Sequence, residues 1–314
     1  MKCFKFEFLV LSIALLAITS HAHSSNSPAT TGFEFLRTDV GARPAAMSGA
    51  YIAVSGDPIC TFYNPAGLSK VRIRGGSITY LKHLLDFHSG ALVGAMPQSW
   101  GTIGFGVNYI NFGEFKETTE QAPDGTGQTF GANSFEIAVG AAQIYKEILS
   151  YGATVKYIRS SISSYASDAF VIDLGLIFHV PFIDNLDVGA AMFNYGQTRT
   201  AFVETKDKLP LNFRAGFSKK LAHLPLMLVG QVYKYTDDLF QWNIGGEFTL
   251  TTELFLRLGY NSLGRDQKLD LNGDKFAGFN TGLGFQWRKY RIDYAFSSMG
   301  EIGSLNRFSF STVF

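Results

Sequence analysis

Two histidines, an aspartate and a serine crowd one short stretch, Lys82-His83-Leu84-Leu85-Asp86-Phe87-His88-Ser89. Those residue types serve nucleophilic hydrolysis or metal binding. The stretch brings no oxyanion donor and no fourth ligand, so a hydrolase built here would have to depend on His83 or His88. A second candidate, Asp270-Leu271-Asn272-Gly273-Asp274, begins like a calcium loop. Lys275 stands where that loop turns on glycine, however, and no Glu closes it. Asp124-Gly125-Thr126-Gly127 has the glycines of a phosphate cradle without the helix that must follow them. The sequence therefore predicts no enzyme, no metal site and no cofactor. The chemistry that stands out is ionic. Arg43 lies among small residues, where a buried guanidinium needs a carboxylate, and Glu136, Asp173, Glu247 and Asp293 are the candidates.

Arg43 belongs to the stretch Arg37–Val71, RTDVGARPAAMSGAYIAVSGDPICTFYNPAGLSKV. It is too rich in Gly, Ala and Pro for a strand and too broken for a long helix. Ala42–Val54 is expected to form one short helix with Pro44 near its first turn, where the missing N–H costs nothing. Gly56-Asp57-Pro58 reads as a turn, and Asn64-Pro65-Ala66-Gly67 as a second turn leaving through glycine. Nearly everything after Gly75 reads as strands of one closed sheet, so this compact segment is expected to lie inside that sheet as a plug.

The N-terminus sets the compartment. Lys2 and Lys5 precede the apolar run Phe8–Ile18, and Ser20-His21-Ala22 is a small-x-small cleavage site. Residues 1–22 are thus expected to be a removed signal peptide, since the apolar run is about half of a membrane-spanning helix. Residues 23–71 form the lead and plug, and 72–314 the barrel. Beyond the signal peptide, basic and acidic residues balance, which argues against nucleic acid as a partner. Cys60 is then the single cysteine, with no internal disulfide available to it, and is expected to be packing.

From Gly75 onward the sequence predicts about fourteen strands of about ten residues, the length that crosses a bilayer at a tilt. They are 75–83, 87–97, 100–111, 134–145, 149–160, 168–180, 185–195, 210–220, 224–235, 240–250, 253–262, 277–287, 289–298 and 305–314. Alternation is clearest late in the chain. Phe240, Trp242, Ile244, Phe248 and Leu250 share one face, and Gln241, Asn243, Gly245, Glu247 and Thr249 the other. A soluble sandwich would bury the apolar face. Two features favour a membrane instead: Trp and Tyr gather near strand ends, as interface girdles require, and the polar face mixes glycines with charges of both signs. Short turns alternate with long connections, Phe112–Asn133, Ser161–Ser167, Gly196–Leu209 and Leu263–Phe276, as in outer-membrane barrels. The fold class is therefore all-β, a transmembrane antiparallel up-and-down barrel in the bacterial outer membrane with an N-terminal plug in its lumen. Outer-membrane lipid is its surrounding partner. The final alternating strand, Phe308-Ser309-Phe310-Ser311-Thr312-Val313-Phe314, resembles the signal read by the barrel-assembly machinery through the terminal Phe314.

Gly41-Ala42-Arg43-Pro44-Ala45-Ala46-Met47, Gly49-Ala50-Tyr51 and Asn64-Pro65-Ala66-Gly67-Leu68 resemble the N-terminal signature of the PorV/PorQ family, which is allied to the FadL long-chain fatty-acid transporters. The likeness runs on to the closing Asn306-Arg307-Phe308-Ser309-Phe310 strand. Ser48 stands where that family usually has Gly, Pro58-Ile59-Cys60 replaces an Ala-rich run, and the large outer loops of PorV are missing. The resemblance implies a plugged barrel of fourteen strands that binds and passes small hydrophobic compounds. It implies, as the alternative, an accessory of type IX secretion that binds a secreted protein or a surface-attachment complex. Arg43, Asn64, Pro65, Ala66 and Gly67 are the candidate gate residues of the plug. Leu84, Leu85, Phe87, Phe112, Phe115 and Phe130 are the candidate capture site at the outer rim.

Overall fold

The structure, a computed structural model, describes residues 31–84, 87–236, 238–268 and 272–314. The expected signal peptide, most of the lead, Leu85, Asp86, Asp270 and Leu271 lie outside those residues. Fourteen antiparallel strands close into one barrel, each bonded to its neighbours in sequence and β1 to β14. The strands are β1 (Gly75–Lys82), β2 (His88–Gln98), β3 (Gly101–Lys116), β4 (Thr129–Tyr145), β5 (Leu149–Ile162), β6 (Tyr165–His179) and β7 (Leu186–Thr200). They continue as β8 (Asn212–Lys220), β9 (Leu226–Tyr235), β10 (Phe240–Thr249), β11 (Leu254–Asn261), β12 (Phe279–Trp287), β13 (Tyr290–Ser298) and β14 (Ser304–Val313). Closure runs from Gly75 opposite Val313 to Lys82 opposite Asn306, which leaves no free sheet edge.

The strands turn their apolar face outward. Ile78, Leu92, Phe105, Val139, Val155, Ile172, Leu258, Leu283 and Ile292 are exposed, while Glu136, Lys156, Asp173, Glu247, Arg257 and Asp293 are buried inside. A soluble sandwich would show the reverse. Trp100, Tyr145, Tyr151 and Trp287 ring the end with short turns, and Tyr80, Tyr109, Tyr195 and Phe279 ring the end with long connections. We call these the turn end and the loop end.

Two sequence expectations are corrected. The break placed at Phe112 is a bulge, where Gly113 at φ 81° shifts the register between Asn111 and Glu114 and the strands then continue. Phe115 sits opposite Phe130 beyond it, with ring centroids 5.6 Å apart, and this cross-strand pair carries β3 and β4 past the expected loop start. The expected helix over Ala42–Val54 is instead α1 (Ala42–Ala46). Ser48 at φ 58° and Gly49 at φ 71° turn the chain out of the helical region immediately after it.

Candidate functional site

The segment ahead of β1 packs against the inward faces of the strands, and inward glycines let it come close. A Cβ on Gly245 would lie 2.7 Å from the Met47 carbonyl oxygen, one on Gly104 2.7 Å from Leu68, and one on Gly152 2.7 Å from Pro65. Real Cβ atoms do not approach so closely, so glycine at these positions is what admits the segment. After α1 and its turn comes α2 (Cys60–Tyr63), followed by a 3-10 turn over Pro65–Lys70. Asn64 starts that turn: its side-chain oxygen accepts from the Ala66 N–H at 3.1 Å. Its amide donates to the Ile52 carbonyl at 2.6 Å and to the Leu176 carbonyl of β6 at 3.2 Å. Asn64-Pro65-Ala66-Gly67 is thus a tight turn and also a tie to the barrel wall, with all four residues buried. Cys60 is buried as packing, its thiol donating to the Val54 carbonyl.

Arg43 forks onto Glu247, with Nε to Oε2 at 2.8 Å and Nη2 to Oε1 at 2.7 Å, and its Nη1 donates to Asp57 at 3.0 Å. Tyr51 donates its hydroxyl to Asp57 at 2.9 Å. Burial works to raise the Asp57 pKa, but Arg43 and the Ile59 N–H outweigh it and hold the carboxyl below its ordinary value. On the wall, Arg257 bridges Glu247 at 2.6 Å and Asp293 at 2.8 Å, and Arg291 reaches Asp293 at 3.0 Å. Three guanidiniums therefore meet three carboxylates across the segment and β10, β11 and β13. Of the carboxylates proposed for Arg43, Glu136 and Asp173 do not join this network. They hold Lys156 between them at 2.8 and 2.7 Å.

At the loop end the lumen opens into a cavity of about 690 Å³. Its apolar walls are Phe33, Phe35, Ile110, Phe112, Phe115, Phe130, Ile162 and Phe202; Ser134, Ser160, Ser161 and Asn133 supply neutral polar groups. Phe33 and Phe35 form its floor, packed on Ile110, Ile158, Ala169 and Val171. Glu34 also lines it and is paired with Arg37 at 2.8 Å. Of the expected capture residues, Phe112, Phe115 and Phe130 line this cavity. Phe87 stands behind them, 5.5 Å from the Phe112 ring, and Leu84 lies instead against Gly303. Leu85 is outside the described residues. Sequence reasoning missed Phe33, Phe35 and Phe202. The apolar run Phe33-Glu34-Phe35-Leu36 just ahead of the expected plug was the signal available for the first two.

His83 and His88 do not meet in one site. His83 bonds Ser89 at 2.9 Å and His88 bonds the Tyr80 hydroxyl at 2.7 Å. Burial, then Arg307, pushes the His83 pKa down to about 4, so its ring is neutral at the edge of the cavity. Among the described residues no group of His, Cys, Asp and Glu is arranged to hold a metal ion. A hydrogen-bond relay that the sequence did not suggest lies at the turn end. Ser150 meets His179 Nε2 at 2.8 Å, and His179 Nδ1 meets Asp187 at 2.7 Å. That is the geometry of a serine triad. Yet Ser150 is completely buried, and Ser69 donates its hydroxyl to Ser150 Oγ at 2.7 Å, so the relay fastens the segment to β5, β6 and β7.

No family model and no curated protein matches the chain. Solved structures do. The chain is similar to the Ralstonia pickettii toluene transporter TbuX at 13% identity and TM-score 0.59, over 88% of this chain and 98% of that one. It is similar to the Pseudomonas putida toluene transporter TodX at 14% identity and TM-score 0.53, over 87% and 96%. A Pseudomonas aeruginosa FadL homologue follows at 11% identity and TM-score 0.51, over 83% and 94%. At these identities the likeness is one of fold: the chain is a closed barrel of fourteen strands, a fold it shares with these proteins.

Proposed function

We propose that this protein is a bacterial outer-membrane channel that captures small apolar molecules in the loop-end cavity and passes them through the lumen. The carrying observation is the cavity of about 690 Å³ walled by phenylalanines and floored by the N-terminal segment itself. Its size and lining suit a small hydrophobic ligand held by burial, with a few neutral polar groups to orient it. The segment from Phe33 to Val71 acts as the plug. Its hold on the wall, through Arg43, Asn64 and the Ser69–Ser150 contact, is what must loosen for passage. The hydrocarbon transporters of similar fold support the same substrate class. Phe112→Ser and Phe115→Ser should each weaken binding of a monoaromatic probe about tenfold, the loss of roughly half a buried ring. Fluorescence or calorimetric titration of the purified barrel checks this, and unchanged affinity in both variants would overturn the capture site.

The motif resemblance to the PorV/PorQ family leaves a second reading, an accessory of type IX secretion that binds a secreted protein. The long β3–β4 hairpin is the surface it would use. Shortening the connection 117–128 should then impair secretion while solute uptake stays intact.

A further inference from the structure

On the outward face of the barrel, near the loop end, β5, β6 and β7 bring two arginines over one carboxylate. Arg159 stands directly opposite Asp168 in the β5–β6 ladder. Arg199 reaches the same carboxylate from β7, Nε to Oδ2 at 2.7 Å. It does so because β7 carries a bulge there: Asp168 pairs with Thr200 and Ala169 with Thr198, so Arg199 is the extra residue and is turned onto Asp168. Thr200 donates its hydroxyl to the other carboxylate oxygen. Asp168 is thereby enclosed, its side chain 3% exposed, while that of Arg199 is 60% exposed.

The charge does not close. Two guanidiniums face one carboxylate, Arg199 spending only Nε on it and Arg159 standing across the ladder from it. Arg159 and the terminal nitrogens of Arg199 make no hydrogen bond to a described residue. A cation on the lipid face is costly at mid-bilayer and favourable at the headgroup level. Tyr151 marks the turn-end girdle on β5, and Arg159 lies on the same face, about 26 Å further along the strand. With the usual tilt that is close to the far edge of the apolar band. Exposed Phe170 and Tyr195 flank it, with the Arg199 guanidinium 5.9 Å from the Phe170 ring centroid.

We propose that Arg159 and Arg199 form a docking site for the phosphate-bearing headgroup of an outer-leaflet lipid. Guanidinium forks match phosphate oxygens, the surplus charge is positive, and the site faces away from the lumen, so its occupant arrives from the bilayer. The choice of leaflet rests on the outer-membrane reading above; the site itself is independent of solute passage.

The test is native mass spectrometry of the delipidated barrel, titrated with lipid A bearing both phosphates and with its dephosphorylated form. The wild-type protein should retain the phosphorylated lipid preferentially. Arg159→Gln with Arg199→Gln should weaken it about thirtyfold, about fivefold for each arginine, and the paired Lys variants should restore most of it. Heat-modifiable gel migration confirms that each variant is folded. If the double variant fails to fold, Arg159→Gln, which removes no hydrogen bond to a described residue, carries the test with its fivefold loss. Equal retention by wild type and folded variant, or of the dephosphorylated lipid, would overturn the site. Monoaromatic binding should be unchanged in the variants, so failure here is separable from failure of the channel.

Discussion

Around Arg43 the lumen is filled with paired charge, whereas around Phe115 it is walled with aromatic rings and its one carboxylate, Glu34, is already bonded to Arg37. The two regions share one barrel and one N-terminal segment. The ionic region fixes geometry: a buried pair adds little net stability, yet removing one partner is expensive because the other charge is stranded. The aromatic region fixes nothing so tightly. It offers burial to whatever apolar molecule enters, and burial is non-directional. One region therefore holds the segment in place and the other uses it as a floor, so in the proposed channel capture and closure depend on different residues.

Breaking that division should be most costly at Glu247, which holds Arg43, Arg257 and Arg291 together. Glu247→Ala is expected to destabilise the barrel by about 3–5 kcal/mol, read as a lowered urea midpoint in vesicles. Gly245→Leu comes next. Its side chain would enter the space of the Met47 backbone, so the segment must shift at a cost of about 1–3 kcal/mol, with a rise in single-channel conductance. A silent, fully stable Gly245→Leu would show that the segment does not close the lumen. Asn64→Ala removes the Ala66 cap and the donations to Ile52 and Leu176, worth about 1–2 kcal/mol, and should loosen the segment without touching monoaromatic affinity.

The smallest effect is with pH. The folded Asp57 carboxyl titrates below its ordinary value, so the stability its pairing brings is fully present above the unfolded pKa, near 4. It is lost only as the pH falls through the lower folded value. Conductance should thus stay flat from about pH 8 to about pH 5 and rise only in stronger acid. A transition near neutral pH would place control elsewhere.

The barrel was legible because each strand repeats one rule, apolar outward and polar inward, as Phe240–Thr249 shows residue by residue. The stretch Arg37–Val71 was legible in composition but not in conformation: its alanines suggest a helix to Val54, yet Ser48 and Gly49 take positive φ where Met47 and Ser48 pack against Gly245 and Gly259. The ionic network was half legible. A buried Arg43 demands a carboxylate, but only strand register places Glu247 rather than Glu136 beside it. The Ser150–His179–Asp187 relay was invisible, since its members lie on three strands and share no motif. Phe33 and Phe35 were overlooked because a cavity floor is defined by what it faces, here Ile158 and Val171.

The most direct test of apolar capture is a native mass spectrum of the barrel gently extracted from its own membrane, wild type beside Phe115→Ser. Bound apolar small molecule in the wild type, diminished in the variant, is the expected result. A stoichiometric protein partner with no small ligand in either sample would contradict it and favour the secretion reading.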